Sequence, residues 1–208
     1  MNMDNLVIEY QYFGSINYIK TLFHFSHVQF EVCETFQKMS FRNRMVLAGS
    51  NGLVSLSVPL EKGRDQKQLL KDVRISYSLP WQQQHWRTIE SCYNRSPFYE
   101  YYRNWLEGFY NRRPVFLLDL NLEIMEWLVK QLKLSANITT TGEFIARYPA
   151  EITDYRNRWL PRNFQDMETG ISYRQVFEDR IGFRKNLSIL DLLFCEGPGA
   201  RNLLSGNV

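Results

Sequence analysis

Cysteine is scarce in this chain: Cys33, Cys92 and Cys195 are the only three, odd in number and far apart in sequence. That spacing excludes a disulfide framework and a zinc-ligand pattern, and it leaves reduced thiols in a cytosolic compartment as the expectation. Charge of one sign is equally lacking. Twenty-five Lys and Arg stand against 22 Asp and Glu, a net of +3, well short of the dense basic stripes of a nucleic-acid binder. No apolar run approaches the roughly 18 residues of a membrane span. The opening "MNMDNLVIEYQYFGS" has no positive region followed by an apolar one, so no signal peptide is expected. The glycines form neither GxGxxG nor GxxxxGK[ST], and no HExxH, GxSxG or CxxC is present. Internal repeats and low-complexity segments are absent too. These absences point to a cytoplasmic protein with no membrane span, no nucleic-acid partner, no metal site and no cofactor that the residues name.

What the chain does have is aromatic side chains, 15% of its 208 residues, within an ordinary apolar fraction of 44%. Aromatics line cores, but they also line sugar and protein interfaces. The length suits a single domain over residues 1–208.

The opening run Asn5–Phe13 is rich in β-formers and ends at Gly14-Ser15, a turn signal. A helix follows with Ser15 as its N-cap and Ile16, Ile19 and Phe23 at near-helical spacing, then a strand over His27–Cys33. This β-α-β start favours a parallel sheet. Asn51-Gly52, between the strand-like runs "RMVLAG" and "LVSLSVPL", predicts a type I′ hairpin inserted early. Lys62–Lys71 reads as an exposed loop and "VRISYS" as a short strand. Pro80 opens a helix, Pro97 breaks it, and Phe98–Phe109 continues as a second. The apolar run Val115–Leu120 reads as a buried strand, with Asn121 capping the helix after it and "ANITTT" as the closing strand. Beyond Gly142 the period weakens until "NLSILDLLF" and the breaker Gly197-Pro198-Gly199. The expected fold is α/β, a mainly parallel sheet flanked by helices with an inserted antiparallel hairpin.

Two places suggest chemistry. On a helix, His85, Ile89 and Cys92 share one face. Seven residues separate His85 from Cys92, roughly 10 Å along the axis, too far for a nucleophilic dyad with its reach of about 3 Å. Cys92 is therefore read as a small buried residue. His85, in the amide-rich turn "WQQQHW", is open to two readings: a general acid or base, or a histidine satisfied by a neighbouring carbonyl. In "KMSFRNR", Lys38 precedes Arg42 and Arg44, which would share one face of a strand and suit a phosphate or carboxylate. A solvated strand face explains them as well. "GPGAR" is read as a plain turn before a short helix.

The order of segments adds information. "YFGSINYI", "FQKMSFRNR", "NG", "LSVPL", "W...HW..IE..YN.SPFYEYY" and "LLDLN", from about Tyr12 to Asn121, closely resemble the WbqC-like protein family, with "LSILDLLFCEGP" as a further segment. Residues 5–141 carry the better match and 142–208 the irregular part, where "EGPGARNLLSG" resembles the family's Ser-Gly-x-Gly-like turn only loosely. The resemblance implies bacterial polysaccharide biosynthesis of the O-antigen type, and some members carry transferase labels. Matched segment by segment, it points to Lys38, Arg42, Asn43, Arg44, His85, Tyr93, Asn94, Ser96, Asp119 and Asn121 as a converging ligand site, with His85 expected as catalytic and Lys38, Arg42, Asn43, Arg44, Tyr93, Asn94, Asp119 and Asn121 as substrate-binding. The expectation is a transferase acting on an activated sugar or related anionic metabolite. A non-enzymatic carbohydrate- or partner-binding protein is the alternative. Convergence of His85, Arg42, Arg44 and Asp119 in one pocket would favour the enzyme, an exposed aromatic strip the binder.

Overall fold

The computed structural model describes residues 3–62 and 67–206. Four parallel strands form the central sheet: β1 (Met3–Glu9), β2 (Phe25–Glu31), β5 (Asn137–Thr140) and β6 (Ile152–Asp154), in the order β5-β2-β1-β6. β1 and β2 pair from Asn5↔His27 to Glu9↔Glu31, and α1 (Ile16–Leu22) makes the crossover. Leu6, Val7 and Ile8 are all buried, as a central strand covered on both faces requires. A separate antiparallel hairpin, β3 (Arg44–Gly49) with β4 (Gly52–Ser57), completes the β structure. The fold is α/β, with helices flanking the parallel sheet.

Several elements differ from the sequence reading. β1 stops at Glu9 rather than Phe13. Phe13 takes a left-handed φ of 44°, and the next residues leave the sheet to bond the C-terminal part of the chain, Ile16 N–H donating to the Leu187 carbonyl at 2.9 Å. Ser15 does occupy the N-cap of α1, but its side chain makes no capping bond. The hairpin falls where Asn51-Gly52 announced it, yet Gly49 pairs with Gly52, so Ser50 and Asn51 form the turn and only Gly52 has positive φ, 132°. A type I′ turn at Asn51-Gly52 is thereby replaced. Of the Lys62–Lys71 loop, residues 63–66 lie outside the described residues, and Leu70 is buried in a 3-10 turn over Leu70–Asp72. "VRISYS" makes only isolated bridges, Leu60↔Ile75 and Arg74↔Phe116.

The largest correction concerns Val115–Leu120. It is no strand but the approach to and first turn of α4 (Leu117–Leu132), whose N-cap is Phe116. Leu117, Leu120, Ile124 and Leu128 recur at helical spacing and are all buried. A six-residue apolar run reads equally as a buried strand or a buried helix end. Asn121 is consequently a buried residue inside α4, not its cap, and Asp119 is an exposed acid in the first turn, where the helix dipole favours a negative charge. The strand that does complete the sheet, β6, is three residues long and came from the aperiodic region after Gly142.

α2 (Trp81–Tyr93) buries Trp81, His85, Ile89 and Tyr93, one face at a spacing of four; Pro80 is its N-cap. Ser96 closes the helix end, its Oγ donating to the Tyr93 carbonyl at 2.7 Å, and Pro97 prevents continuation. α3 (Tyr99–Tyr110) follows, its last residue Tyr110 packing against Trp81 and His85 in the first half of α2. The aromatics are mostly interior. Trp105 stacks on Trp127 with centroids 4.2 Å apart, and Tyr99, Tyr102, Phe109 and Tyr110 are buried, leaving Tyr101 at the surface. Such ring pairs each add about 0.5–1.5 kcal/mol beyond the area they bury. α5 (Glu178–Ile181), α6 (Ile189–Glu196) and α7 (Ala200–Ser205) follow. Seven of the eight residues of α6 are buried, and Ser188 caps it by accepting from Leu190 N–H. Gly197 ends it at φ 53°, where a Cβ would lie 2.3 Å from the Phe98 ring, so this position demands glycine. No helix among the described residues is long and apolar enough to cross a membrane.

Candidate functional site

The carboxyl ends of parallel strands are where α/β folds expose backbone and collect polar side chains. Here they gather a buried, charged network. Glu9 ends β1, Glu31 ends β2, Asp154 ends β6, and Thr141 follows β5. Glu31 accepts from Cys33 N–H and Thr141 Oγ1, both at 2.8 Å, and from Arg156 at 3.0 Å. Arg156 also forks onto Asp154, tying the ends of β2 and β6 across β1. Glu9 accepts from Gln11 Nε2 at 2.8 Å and from Asn157 N–H at 2.9 Å.

Arg42, one of the expected substrate-binding residues, belongs to this network and is fully buried. It lies in a 3-10 turn, Phe41–Asn43, rather than on a strand, so it shares no strand face with Arg44. Its Nε and Nη2 donate to the two oxygens of Glu34 at 2.6 and 2.7 Å, and its Nη1 donates to Asn157 Oδ1 at 2.9 Å. All three nitrogens are engaged. Burial pushes the Glu34 carboxyl up to about 6 despite the pull of Arg42. Asn121 joins from α4, donating to the Arg42 carbonyl at 2.8 Å. Outside the network runs the mostly exposed segment 142–151, whose Phe144 and Tyr148 rings lie 5.2 and 5.0 Å from the Arg156 guanidinium. Among the described residues no group of three or more His, Cys, Asp or Glu side chains is arranged to hold a metal.

A second polar centre lies at the break between α2 and α3. Tyr93, buried, donates to Asp191 Oδ1 at 2.6 Å, while Tyr173 and the Gln175 amide donate to Oδ2 at 2.5 and 3.1 Å. Burial raises the Asp191 carboxyl, and these donors draw it back down. This anchored carboxylate holds segment 173–177 as one wall of a pocket of about 680 Å3. Asn94 and Ser96, both expected site residues, line it, as do Arg95, Arg174, Gln175 and Arg180. Arg174 is paired to Asp179 at 2.7 Å, but Arg95 and Arg180 have no carboxylate partner among the described residues. Cys92, half-buried, and Cys195 also line the pocket. Burial and the Asp191 charge push both thiols up, Cys195 far up, so neither supplies a thiolate near neutral pH. Glu196 is the one carboxylate among the lining residues.

The other expected residues are dispersed. Lys38 and Asp119 are exposed. Asn43 holds the Val58 carbonyl at 2.8 Å, and Arg44 reaches Ser57 Oγ at 3.1 Å at the start of β3. His85 is interior: Tyr12 Oη lies 2.9 Å from its Nδ1, Tyr110 Oη continues the chain at 2.8 Å, and the Ser57 backbone takes the other side of the ring. Burial lowers its pKa to about 4. His85, Arg42, Arg44 and Asp119 thus sit in different surroundings rather than one pocket.

The reading from sequence missed both the strand-end carboxylates and the pocket arginines. The former left a signal, since Glu9 closes the buried apolar run Leu6–Ile8, Glu31 follows the apolar positions Val28 and Phe30, and the two fall opposite each other in register. Arg174 and Arg180 left none, lying in a stretch without period.

The architecture defines an α/β protein with a sealed charged cap on its strand ends and an open, arginine-lined pocket beside it. Residues 10–151, more than half of the chain, match the WbqC-like protein family, and the chain belongs to that family. No curated protein and no solved structure matches the chain.

Proposed function

We propose that the protein is a transferase of bacterial O-antigen-type polysaccharide biosynthesis that takes an activated sugar or related anionic metabolite into the pocket at the α2–α3 break. The observation carrying this reading is the pair Arg95 and Arg180, which have no carboxylate partner among the described residues, in an opening of about 680 Å3, within the usual range for a metabolite site. Guanidiniums suit a phosphate or pyrophosphate through paired N–H donors, and they stabilise charge that grows on a leaving group. In the reaction, an acceptor hydroxyl oxygen forms a bond to the anomeric carbon while that carbon's bond to the diphosphate oxygen breaks. The electron pair leaves on the diphosphate, held by the arginines. The hydroxyl proton passes to Glu196, the carboxylate in reach of the pocket. In this reading Arg95, Arg174 and Arg180 replace Arg42 and Arg44 as the anion's holders. His85, neutral and enclosed, keeps Tyr12 and Tyr110 in place rather than moving a proton.

A non-enzymatic carbohydrate-binding protein is favoured by one observation: both pocket thiols stay protonated, and Glu196 is the sole acid-base group among the lining residues. A thermal-shift series with nucleotide sugars separates the readings, because a ligand bound to the folded state raises the melting temperature. The transferase reading expects a shift that Arg95→Ala/Arg180→Ala abolishes, and release of nucleotide when an acceptor polysaccharide is added. Binding without release favours the second reading, and no shift with any nucleotide sugar removes the first.

A further inference from the structure

The arginine-lined pocket does not end at the helix break. Ser91 and Cys92 line it and also line a second hollow, of about 370 Å3, along α2. Pro80 and Gln83, at the far end of that hollow, in turn line a third, of about 320 Å3, between the start of α2 and the end of α3. Positions 80, 84, 88 and 91 recur at helical spacing, so one face of α2 forms the floor. From Pro80 to Ser91 this floor runs about 17 Å along the helix axis.

The chemistry changes along the way. Three guanidiniums and one carboxylate line the first pocket. Arg87 is the one charged residue lining the second hollow, and in the third Glu107 and Arg113 offset each other with the rest of the lining neutral. Gln82, Gln83 and Asn111 bring side-chain amides, each able to donate and accept at once. Trp86 and Tyr110 bring rings. Trp86 is half-buried and nearly parallel to Tyr99, with centroids 6.3 Å apart at 24°, so its plane is held. The Gln83 amide has no hydrogen-bond partner among the described residues. Amides beside a fixed flat ring fit a ligand rich in hydroxyls with an apolar ring face and no net charge, and they do not fit a second phosphate.

We propose that this continuous groove is the acceptor track of the transferase, holding a neutral glycan chain along α2 with its end presented to the arginine-lined pocket. The inference rests on the reading of that pocket as the donor site. It assigns a substrate class, a neutral polysaccharide chain, to the surface running from Pro80 to Ser91 on the outside of α2.

The test is a microarray of bacterial surface polysaccharides probed with the intact chain, with nucleotide-sugar binding measured in parallel by calorimetry. The expected result is binding to one or more neutral polysaccharides, weakened about tenfold by Gln83→Ala/Asn111→Ala, since two neutral hydrogen bonds are lost. Nucleotide-sugar affinity stays unchanged in that variant. Arg95→Ala/Arg180→Ala gives the reverse, and Trp86→Phe, which keeps a ring, retains glycan binding better than Trp86→Ala with folding checked by circular dichroism. Failure to bind any neutral polysaccharide overturns the proposal. So does equal binding by Gln83→Ala/Asn111→Ala, or binding restricted to acidic polysaccharides and lost at high salt. If nucleotide sugars fail while glycan binding and its variant pattern hold, the donor site falls and the track stands as the surface of a glycan-binding protein.

Discussion

The two polar centres of this molecule hold similar residues in opposite states. At the strand ends, Arg42 is buried, Arg156 is partly buried, and every guanidinium nitrogen of Arg42 meets a side-chain oxygen. At the α2–α3 break, Arg95 and Arg180 are exposed, with no carboxylate partner among the described residues. A buried guanidinium must be neutralised by its surroundings, because removing it from water costs several kcal/mol that only good geometry offsets. Once neutralised it has nothing left for a ligand. An open arginine keeps its donors free and its charge projected into solvent. Arg42 is thus spent inside the fold while Arg95 and Arg180 face the pocket, and of these three only Arg42 and Arg95 lie in the part of the chain that matches the family.

The largest effect should come from breaking the sealed centre. Arg42→Ala leaves Glu34 buried without its partner and is expected to cost about 3–5 kcal/mol in urea denaturation. Arg180→Ala, on the exposed side, should stay within about 0.5 kcal/mol. Comparable costs for the two would erase the distinction.

Acid should next expose the interior histidine. The His85 pKa is lowered from 6.5 to about 4, so the folded state holds it neutral while the unfolded chain accepts a proton. Its contribution is complete above pH 6.5 and declines as pH falls toward 4. Glu34, raised to about 6, works with opposite sign, adding stability as pH falls from 6 through 4.5. Comparing wild type with His85→Gln cancels the Glu34 effect. Between pH 7.5 and 5.0 wild type should lose about 2 kcal/mol more than the variant, and identical pH profiles would place His85 in water.

On the open side, Arg95→Ala or Arg180→Ala alone should weaken nucleotide-sugar binding about 10- to 100-fold, as the loss of a charge-assisted hydrogen bond does. That weakening should shrink with added salt. Unchanged affinity would mean that the ligand, if bound, sits elsewhere.

The smallest effect concerns the thiols. Cys92 and Cys195 should react slowly with an alkylating reagent at pH 7.5, Cys195 the slower because it is nearly covered. Rapid modification of Cys195 would show that the wall anchored by Asp191 opens.

Much of the scaffold was legible because its signals are local. Asn51-Gly52 between strand-like runs located the hairpin, Pro80 and Pro97 bounded α2, and the β-α-β start predicted parallel pairing. Val115–Leu120 failed because a short apolar run has no period of its own, and only the buried positions Ile124 and Leu128 downstream show it to be a helix. That failure moved Asp119 and Asn121 from a strand end to α4, one outward and one inward. The site was less legible than the scaffold. Asn94 and Ser96 do line the open pocket, but Arg174, Gln175 and Arg180 arrive from a segment about 80 residues away in sequence. No spacing rule connects them.

By itself the sequence determined the α/β class, the hairpin, the helix breaks and the absence of a nucleotide fingerprint, since each depends on residues within a turn or two of one another. Only the tertiary structure decided which arginines are spent inside the fold and which remain free. That choice depends on whether the folded chain brings a carboxylate onto the guanidinium, as the loop after β2 brings Glu34 onto Arg42, or leaves it facing water, as at Arg95 and Arg180.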